Sequence, residues 1–225
     1  MKERARSVVL LSGGLDSATA LFWSVAQGHP VRALTVDYGQ RHQRELRSAR
    51  ALARAAGVEL CRLRLNLPWL KISALVDRKK KLPDVAPAQI GRGIPSTYVP
   101  GRNTLFLALG LSWAESCGAR ALVIGANVLD YSGYPDCRPR FLRAFERLSA
   151  LGTRQGVGGR AVRVLAPLIK LNKAQIISWA RRLGVPLELT WSCYAGGRFP
   201  CRRCDSCKLR ARGFEEAGWP DPLAS

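Results

Sequence analysis

The sequence of 225 residues is poor in histidine, methionine, acidic side chains and long apolar runs. With only two histidines, no Ser–His–Asp arrangement can be argued. No apolar run approaches the ~18 residues that a membrane helix needs. The apolar stretch behind the charged N-terminus, residues 7–11, is too short for a signal peptide. These absences predict a soluble, cytoplasmic protein with no membrane partner.

The shortage of acidic groups leaves a strong positive charge. There are 36 basic and 16 acidic side chains, so the formal net charge is +20. Such a charge is typical of proteins that bind nucleic acid or another polyanion. It is equally compatible with an arginine-biased composition, because 28 of the 36 basic residues are arginine. The charge by itself leaves both explanations open.

The pattern of apolar residues predicts a doubly wound α/β fold. Short apolar runs alternate with helical periodicities along the chain, and this is typical of a mostly parallel sheet with helices on both faces. The five predicted strands span residues 7–11, 31–36, 58–65, 121–125 and 162–165. The predicted helices span residues 16–27, 41–56, 103–117, 139–151, 172–183 and 206–217. Residues 66–102 carry five prolines and a basic run at 78–81, which predicts a long structureless loop.

The string SGGLDS, residues 12–17, follows the first strand and opens the first helix. A strand-to-helix junction presents backbone N–H groups and the positive end of the helix dipole, so it favours an anion. Gly13 and Gly14 allow a phosphate to approach the backbone closely, and Ser12 and Ser17 add hydroxyl donors. Asp16 is predicted to cap amides at the helix start and to help hold Mg²⁺. The string therefore predicts a phosphate-binding loop, although no lysine follows the glycines as in a Walker A motif.

Four of the seven cysteines lie close together near the C-terminus, at Cys193, Cys201, Cys204 and Cys207. Four thiolates at this spacing are the ligands of a closed, tetrahedral zinc site. An iron–sulfur cluster and disulfides remain alternatives. The expected organisation is an ATP-binding α/β domain over residues 1–185 and a zinc-binding helical region over residues 186–225, within one compact unit.

The phosphate loop resembles the SGGxDS signature of the PP-loop ATP pyrophosphatases, whose sheet is of the adenine nucleotide alpha hydrolase type. Further strings resemble, along nearly the whole chain, the 7-cyano-7-deazaguanine synthase family: DYGQRHQREL, YVPGRN, GANVLDYSGYPDCR, PLELTWSCY and the cysteine cluster. The glycine that often follows the second zinc cysteine in that family is replaced here by Arg202.

The resemblance implies an ATP-dependent ligase of queuosine biosynthesis. Its substrates would be 7-carboxy-7-deazaguanine and ammonia, and its product the nitrile, formed through an adenylated acid and an adenylated amide. It implies ATP as a substrate, Mg²⁺, one structural Zn²⁺, a homodimer and no nucleic-acid partner. The residues expected to bind ATP are Leu11, Ser12, Gly13, Gly14, Leu15, Asp16, Ser17, Ala18, Thr19, Ala20, Leu21 and Asp37.

The resemblance assigns catalytic roles to Ser12, Asp16, Ser17 and Lys170, the lysine being expected to reach the phosphates. The residues expected to contact the deazaguanine substrate are Tyr98, Arg102, Asp130, Tyr134, Asp136 and Arg138. Cys137 is interpreted as a packing residue rather than a reactive thiol. Two other functions compete with the ligase. One is a tRNA-modifying PP-loop enzyme of the thiolation or lysidine type, and the other is a zinc-ribbon module that binds nucleic acid without catalysis.

Overall fold

The computed structural model describes residues 6–86, 89–90, 93–128 and 133–224. Within these ranges five strands form one sheet, in which every pair is parallel and the order is β3-β2-β1-β4-β5. The strands are β1 (Arg6–Leu10), β2 (Val31–Asp37), β3 (Glu59–Arg64), β4 (Ala119–Ile124) and β5 (Arg163–Leu165). The predicted doubly wound fold is confirmed, and each strand lies within two residues of its predicted bounds.

Helices cover both faces of the sheet. They are α1 (Leu15–Ala26), α2 (Arg44–Ala55), α3 (Arg102–Ser116), α4 (Pro139–Gly152), α5 (Arg154–Val157), α6 (Lys173–Arg182) and α7 (Asp205–Glu216). Asn172 caps α6 as predicted: its side chain accepts the N–H of Gln175, and the Gln175 side chain accepts the N–H of Asn172. In the described ranges no helix is long and apolar enough to cross a membrane.

Two apolar layers form the core because successive residues of a strand point to opposite faces of the sheet. Val9 and Ala33 pack against residues of α1, α2, α6 and α7 on one face. Val8 and Leu34 pack against residues of α3 and α4 on the other. The strand order reverses between β1 and β4, so a crevice opens at their carboxyl ends, where doubly wound folds bind ligands.

The segment between β3 and α3 is packed where the structure describes it, so the expectation of a structureless loop is wrong there. Residues Pro68–Ile72 form a short 3₁₀ helix. Leu70, Leu75 and Val99 are buried against Tyr38 in a third apolar cluster, which lies next to the carboxyl end of β2. The basic residues 78–81 are exposed, as expected of a solvated loop.

Candidate active site and metal centre

The loop between β1 and α1 is folded on its own two serines. The Ser17 hydroxyl accepts the N–H groups of Ser12 and Gly13, both at 3.2 Å, and donates to the carbonyl of Gly14 at 3.0 Å. The two serine hydroxyls lie 3.0 Å apart. Polar side chains and loop amides are therefore gathered at the N-terminus of α1, which is the geometry that binds phosphate.

Gly13 is required by both its backbone conformation and its contacts. Its φ is +96°, and a β-carbon added there would lie 2.2 Å from the carbonyl oxygen of Glu45 in the first turn of α2. Gly125, directly after β4, has a similar role, because an added β-carbon would lie 2.8 Å from the backbone of Asp16. These two close approaches hold the loop between α2 and the end of β4.

A cavity of about 280 Å³ opens above this loop at the carboxyl ends of β1, β2 and β4. Six of the residues predicted to bind ATP line it: Leu11, Ser12, Gly14, Leu15, Asp16 and Ser17. Ala18, Thr19, Ala20 and Leu21 are not in its lining, because they are completely buried on α1. The structure thus brings the first half of the predicted segment to the cavity and places the second half in the core.

Asp37 also lies outside the lining, although it ends β2. Its carboxylate accepts hydrogen bonds from Arg62 at 2.7 Å, the Gly39 amide at 3.2 Å and Gln43 at 3.4 Å. Burial alone would raise the pKa of Asp37, but these hydrogen bonds outweigh burial and hold the pKa below its ordinary value. The side chain therefore stabilises the turn after β2, and the neighbouring residues Thr35, Val36 and Tyr38 face the cavity instead.

The cation beside the loop is Lys173 at the start of α6. Its Nζ lies 2.7 and 2.8 Å from the two carboxylate oxygens of Asp16. Asn127, just after β4, donates to the same carboxylate at 3.1 Å. Asp16 is therefore held by side chains from two other elements and makes no cap at the α1 N-terminus, contrary to expectation. Lys170 is exposed and does not line the cavity.

The cavity lining also includes aromatic side chains and the guanidinium of Arg102. Arg102, the first residue of α3, has its guanidinium carbon 5.6 Å from the centre of the Tyr134 ring. Burial acts to lower the pKa of Arg102, but the nearby phenols of Tyr38 and Tyr134 outweigh burial and keep the group protonated. Arg102 and Tyr134 line the cavity, whereas Tyr98 packs behind Tyr134 with 6.2 Å between ring centres.

The other predicted substrate residues are not gathered in the cavity lining. Asp136 is buried, and its carboxylate accepts the Asn103 amide N–H at 3.0 Å in the first turn of α3. Arg138 is exposed and outside the lining, and Asp130 lies outside the described residues. Cys137 does line the cavity, but burial raises the pKa of its thiol to about 11. A thiol in that state is a poor nucleophile at neutral pH, which agrees with a packing role.

Among the polar cavity residues that sequence reasoning missed are Glu45, Asn103 and Asn127. All three lie inside strings that carry the family resemblance, and this was the available signal. His42, which lies in the first of these strings, also lines the cavity. It is 2% exposed, and its Nε2 lies 2.9 Å from a carboxylate oxygen of Glu45.

The four clustered cysteines converge on one point. Their sulfur atoms all lie within 4.8 Å of one another, and the Cys201 and Cys207 sulfurs are 4.0 Å apart. A tetrahedral ion with bonds of ~2.3 Å needs sulfurs separated by ~3.8 Å. Backbone amides point at the sulfurs, as Cys201 N–H does at Cys193 and Cys204 N–H at Cys201. The donor set therefore fits a metal ion bound by four thiolates.

Arg202 confirms that its turn is one that glycine would ease. Its φ is +58°, and it is the one non-glycine residue in the described ranges with a positive φ. The left-handed conformation costs roughly 1–2 kcal/mol for a residue with a β-carbon. Its guanidinium donates to the carbonyl of Ala224, so the side chain ties this turn to the end of the chain. The four cysteines keep their arrangement despite the strain.

The cysteine cluster is joined to the phosphate loop through Trp191. The Trp191 N–H donates to the carbonyl of Gly13 at 2.9 Å, and its indole N–H donates to the carbonyl of Cys193 at 3.0 Å. The ring is 1% exposed and packs with Cys193, Cys204 and Cys207. The C-terminal region therefore supports the loop directly. The division of the chain at residue 185 stays a prediction.

Comparison with known proteins adds to this geometry. A family model described as "Queuosine biosynthesis protein QueC" matches residues 6–218. A 7-cyano-7-deazaguanine synthase of Synechococcus sp. (strain RCC307) is 52% identical over 97% of this chain and 98% of its own length. Another of that name, from Pseudomonas fluorescens (strain SBW25), is 50% identical over 98% of each chain.

Solved structures show the same fold at low identity. The NMN synthetase of Francisella tularensis has a TM-score of 0.51 and 16% identity, covering 97% of this chain and 79% of that one. A 4-thiouridine synthetase, solved with RNA and bound ATP, has a TM-score of 0.51 and 21% identity. The match covers 95% of this chain and 50% of that one.

Proposed function

The chain belongs to the queuosine biosynthesis family QueC, and we propose that it is an ATP-dependent ligase that makes 7-cyano-7-deazaguanine. Its substrates are 7-carboxy-7-deazaguanine and ammonia, and it works through an adenylated acid and then an adenylated amide. The observation that carries this proposal is the 52% identity to a synthase of that name over 97% of the chain.

ATP binds with its β- and γ-phosphates against the loop at residues 12–17. The amides at the start of α1 and the Lys173 ammonium neutralise the charge that develops on the leaving pyrophosphate. Asp16 is the residue that would hold Mg²⁺, because its carboxylate lines the cavity beside the loop and Mg²⁺ prefers oxygen ligands. Bound Mg²⁺ would supply further stabilisation of the phosphate charges.

The deazaguanine substrate binds beside Arg102 and Tyr134. The Arg102 guanidinium suits the substrate carboxylate, because a planar pair of N–H donors matches a carboxylate. The Tyr134 ring offers a face for the heterocycle, and Asn103 adds a polar side chain to the lining. The carboxylate is thereby directed toward the loop, where it attacks the α-phosphorus with pyrophosphate leaving. The amide oxygen repeats that attack in the second cycle.

The metal of the cysteine cluster is a structural zinc ion. Four thiolates leave no open coordination position, and three of the four cysteines are buried. The ion would tie α7 to the segment around Trp191, and through Trp191 to the phosphate loop. We therefore assign to zinc the stability of the C-terminal region and the position of the loop, with no step of the reaction.

We further propose that the enzyme is a cytoplasmic homodimer that uses ammonia and no nucleic acid. The cysteine cluster, with its thiols converging on one point, suits a reducing compartment. Two anionic substrates account for part of the positive charge without any polynucleotide. Arginine-biased composition accounts for the rest.

The test is incubation of the protein with ATP, Mg²⁺, ammonium and 7-carboxy-7-deazaguanine in the absence of RNA. The expected result is release of AMP and pyrophosphate with formation of the nitrile, followed by mass spectrometry. No release of either product would overturn the proposal. ATP cleavage that depends on added tRNA, with binding that weakens steeply with salt, would instead indicate a tRNA-modifying enzyme.

A further inference from the structure

We propose that an oxygen-lined recess beside Gly14, closed by Glu45, binds the ammonium ion that supplies the nitrogen. This site rests on the proposed ligase function. It lies on the α2 side of the phosphate loop, and Glu45, His42 and Gly14 all line the same cavity as the loop. Nothing in the sequence alone had indicated that these residues bind ammonia.

Three oxygen atoms lie on the side of Gly14 where a side chain would project. From the position that a β-carbon on Gly14 would occupy, the Ser12 hydroxyl lies at 3.5 Å, the Trp191 carbonyl at 3.6 Å and a Glu45 carboxylate oxygen at 4.0 Å. The carbonyl and the carboxylate can only accept hydrogen bonds. A phosphate oxygen placed here would meet lone pairs, whereas the N–H groups of ammonium would meet acceptors. The recess is therefore chemically opposite to the amide-rich side of the same loop.

The charges of the cavity also point to a cation. Asp16 lies 2.7 Å from Lys173 and is already assigned to Mg²⁺. Glu45 has His42 at 2.9 Å, and in the described part of the chain no lysine or arginine pairs with this carboxylate. A carboxylate that is 14% exposed, in a cavity that receives two anionic substrates, is unfavourable unless it serves a cation.

His42 orients Glu45 and leaves one oxygen for the ligand. Its Nε2 lies 2.9 Å from Oε2, whereas the oxygen near Gly14 is Oε1. The imidazole is 2% exposed, and its Nδ1 has no hydrogen-bond partner in the described structure. Burial of an Nδ1 without a hydrogen-bond partner costs free energy. We therefore interpret His42 as a positioning residue that fixes the Glu45 carboxylate facing the loop. Mg²⁺ fits this recess less well, because it demands a near-octahedral set of oxygens.

The chemistry balances with Glu45 as the first proton acceptor. Ammonium gives one proton to the Glu45 carboxylate, and the ammonia formed attacks the acyl carbon of the adenylate. A C–N bond forms while the bond from that carbon to the phosphate oxygen breaks, and its electron pair leaves with AMP. The excess proton on nitrogen passes to the departing phosphate, so the products are the amide, AMP and protonated Glu45.

The test compares Glu45→Gln with the wild type and with Glu59→Gln, an exposed glutamate paired with Arg32 on β2. Hydroxylamine is the second nucleophile, because it is largely uncharged at neutral pH and needs neither a cation site nor a base. Three quantities are measured: the burst of pyrophosphate without nucleophile, ammonium-dependent amide formation and hydroxylamine-dependent hydroxamate formation.

Glu45→Gln is expected to lose amide formation by about 10²-fold. It should keep the pyrophosphate burst, hydroxamate formation and the wild-type Mg²⁺ requirement. His42→Asn should show the same pattern more weakly, with a raised KM for ammonium, and Glu59→Gln should match the wild type. An unchanged ammonium dependence in Glu45→Gln would overturn the site.

Loss of the burst together with a higher Mg²⁺ requirement would also overturn the site, because it would make Glu45 a magnesium ligand. If the wild-type protein shows no pyrophosphate burst when 7-carboxy-7-deazaguanine is added with ATP, the proposed ligase function itself is contradicted. The two failures are therefore distinguished by the wild-type burst.

Discussion

The buried ion pair between Arg210 and Asp221 should be a main source of stability in the C-terminal region. The Arg210 side chain, on α7, is 6% exposed and the Asp221 side chain 14% exposed. Two of the guanidinium nitrogens reach the two carboxylate oxygens, at 2.8 and 2.9 Å. A third donates to the Thr190 hydroxyl at 2.7 Å. The pair thus joins α7, the chain end and the segment that leads into Trp191.

Asp221→Ala should lower the free energy of unfolding by about 3 kcal/mol, the lower end of the range for breaking a buried pair. The lower end applies because Arg210 keeps Thr190 as a partner, while its positive charge stays buried without a counter-charge. The amide of Leu223 also loses its acceptor, at 3.0 Å in the intact protein. Since Thr190 precedes Trp191, which donates to the Gly13 carbonyl, a raised KM for ATP should accompany the loss.

The assay is urea unfolding followed by circular dichroism. Glu216→Ala is the matched control, because Glu216 pairs with Arg212 on the same helix but the two side chains are 41% and 64% exposed. Such an exposed pair contributes only about 0.3–0.5 kcal/mol. If Asp221→Ala cost less than about 1 kcal/mol, close to the control, the inference from burial would be refuted.

Five other substitutions test the site, the metal centre and the turn after β2. Lys173→Ala should lower ATP-dependent turnover by at least about 10²-fold, because the cation at the phosphate loop is lost. Lys170→Ala should leave turnover unchanged, and the reverse result in steady-state assays would restore the assignment of Lys170 to the phosphates. Cys204→Ser should lower both the metal content and the melting temperature, because a structural ion contributes folding free energy; unchanged values of both would contradict a structural site. Arg202→Gly should raise the free energy of unfolding by up to about 1 kcal/mol through relieved backbone strain, seen as a higher urea midpoint. A lower midpoint would show that the contacts of the Arg202 side chain stabilise the protein by more than the strain costs. Asp37→Asn should destabilise the protein at neutral pH. Because folding lowers the pKa of Asp37, its contribution to stability is present above the unfolded pKa and is lost as the pH falls below about 4. A stability difference between the variant and the wild type that persisted in acid would argue against the ion pair with Arg62.

Local patterns predicted most of the fold. The strands follow from short apolar runs, and α6 begins directly after Asn172 because its capping signal lies within four consecutive residues. The cysteine cluster was predictable from spacing, since three of its ligands lie within seven residues. These features depend on residues that are close together in the chain, so the sequence is sufficient to predict them.

The polar lining of the cavity was predicted less well. Lys170 lies in the turn before α6, whereas Lys173 is the first residue of the helix, so the two lysines are positioned by different parts of the chain. The packing of α6 against α1 selects Lys173, which meets Asp16 from 157 positions away in the chain. Asp37 and Asp136 were assigned to ligands, yet each carboxylate accepts a backbone N–H, from Gly39 and from Asn103 respectively.

A doubly wound α/β fold, a phosphate loop and a four-cysteine centre were therefore predictable from the order of residues, because the signals for each lie close together in the chain. Which charged groups face one another depends instead on how the elements pack. The tertiary structure placed Glu45 against Gly14, His42 against Glu45 and Trp191 between the loop and the cysteines. Those contacts join α2, the loop after β1 and the C-terminal region, whose relative positions follow from packing on the shared sheet.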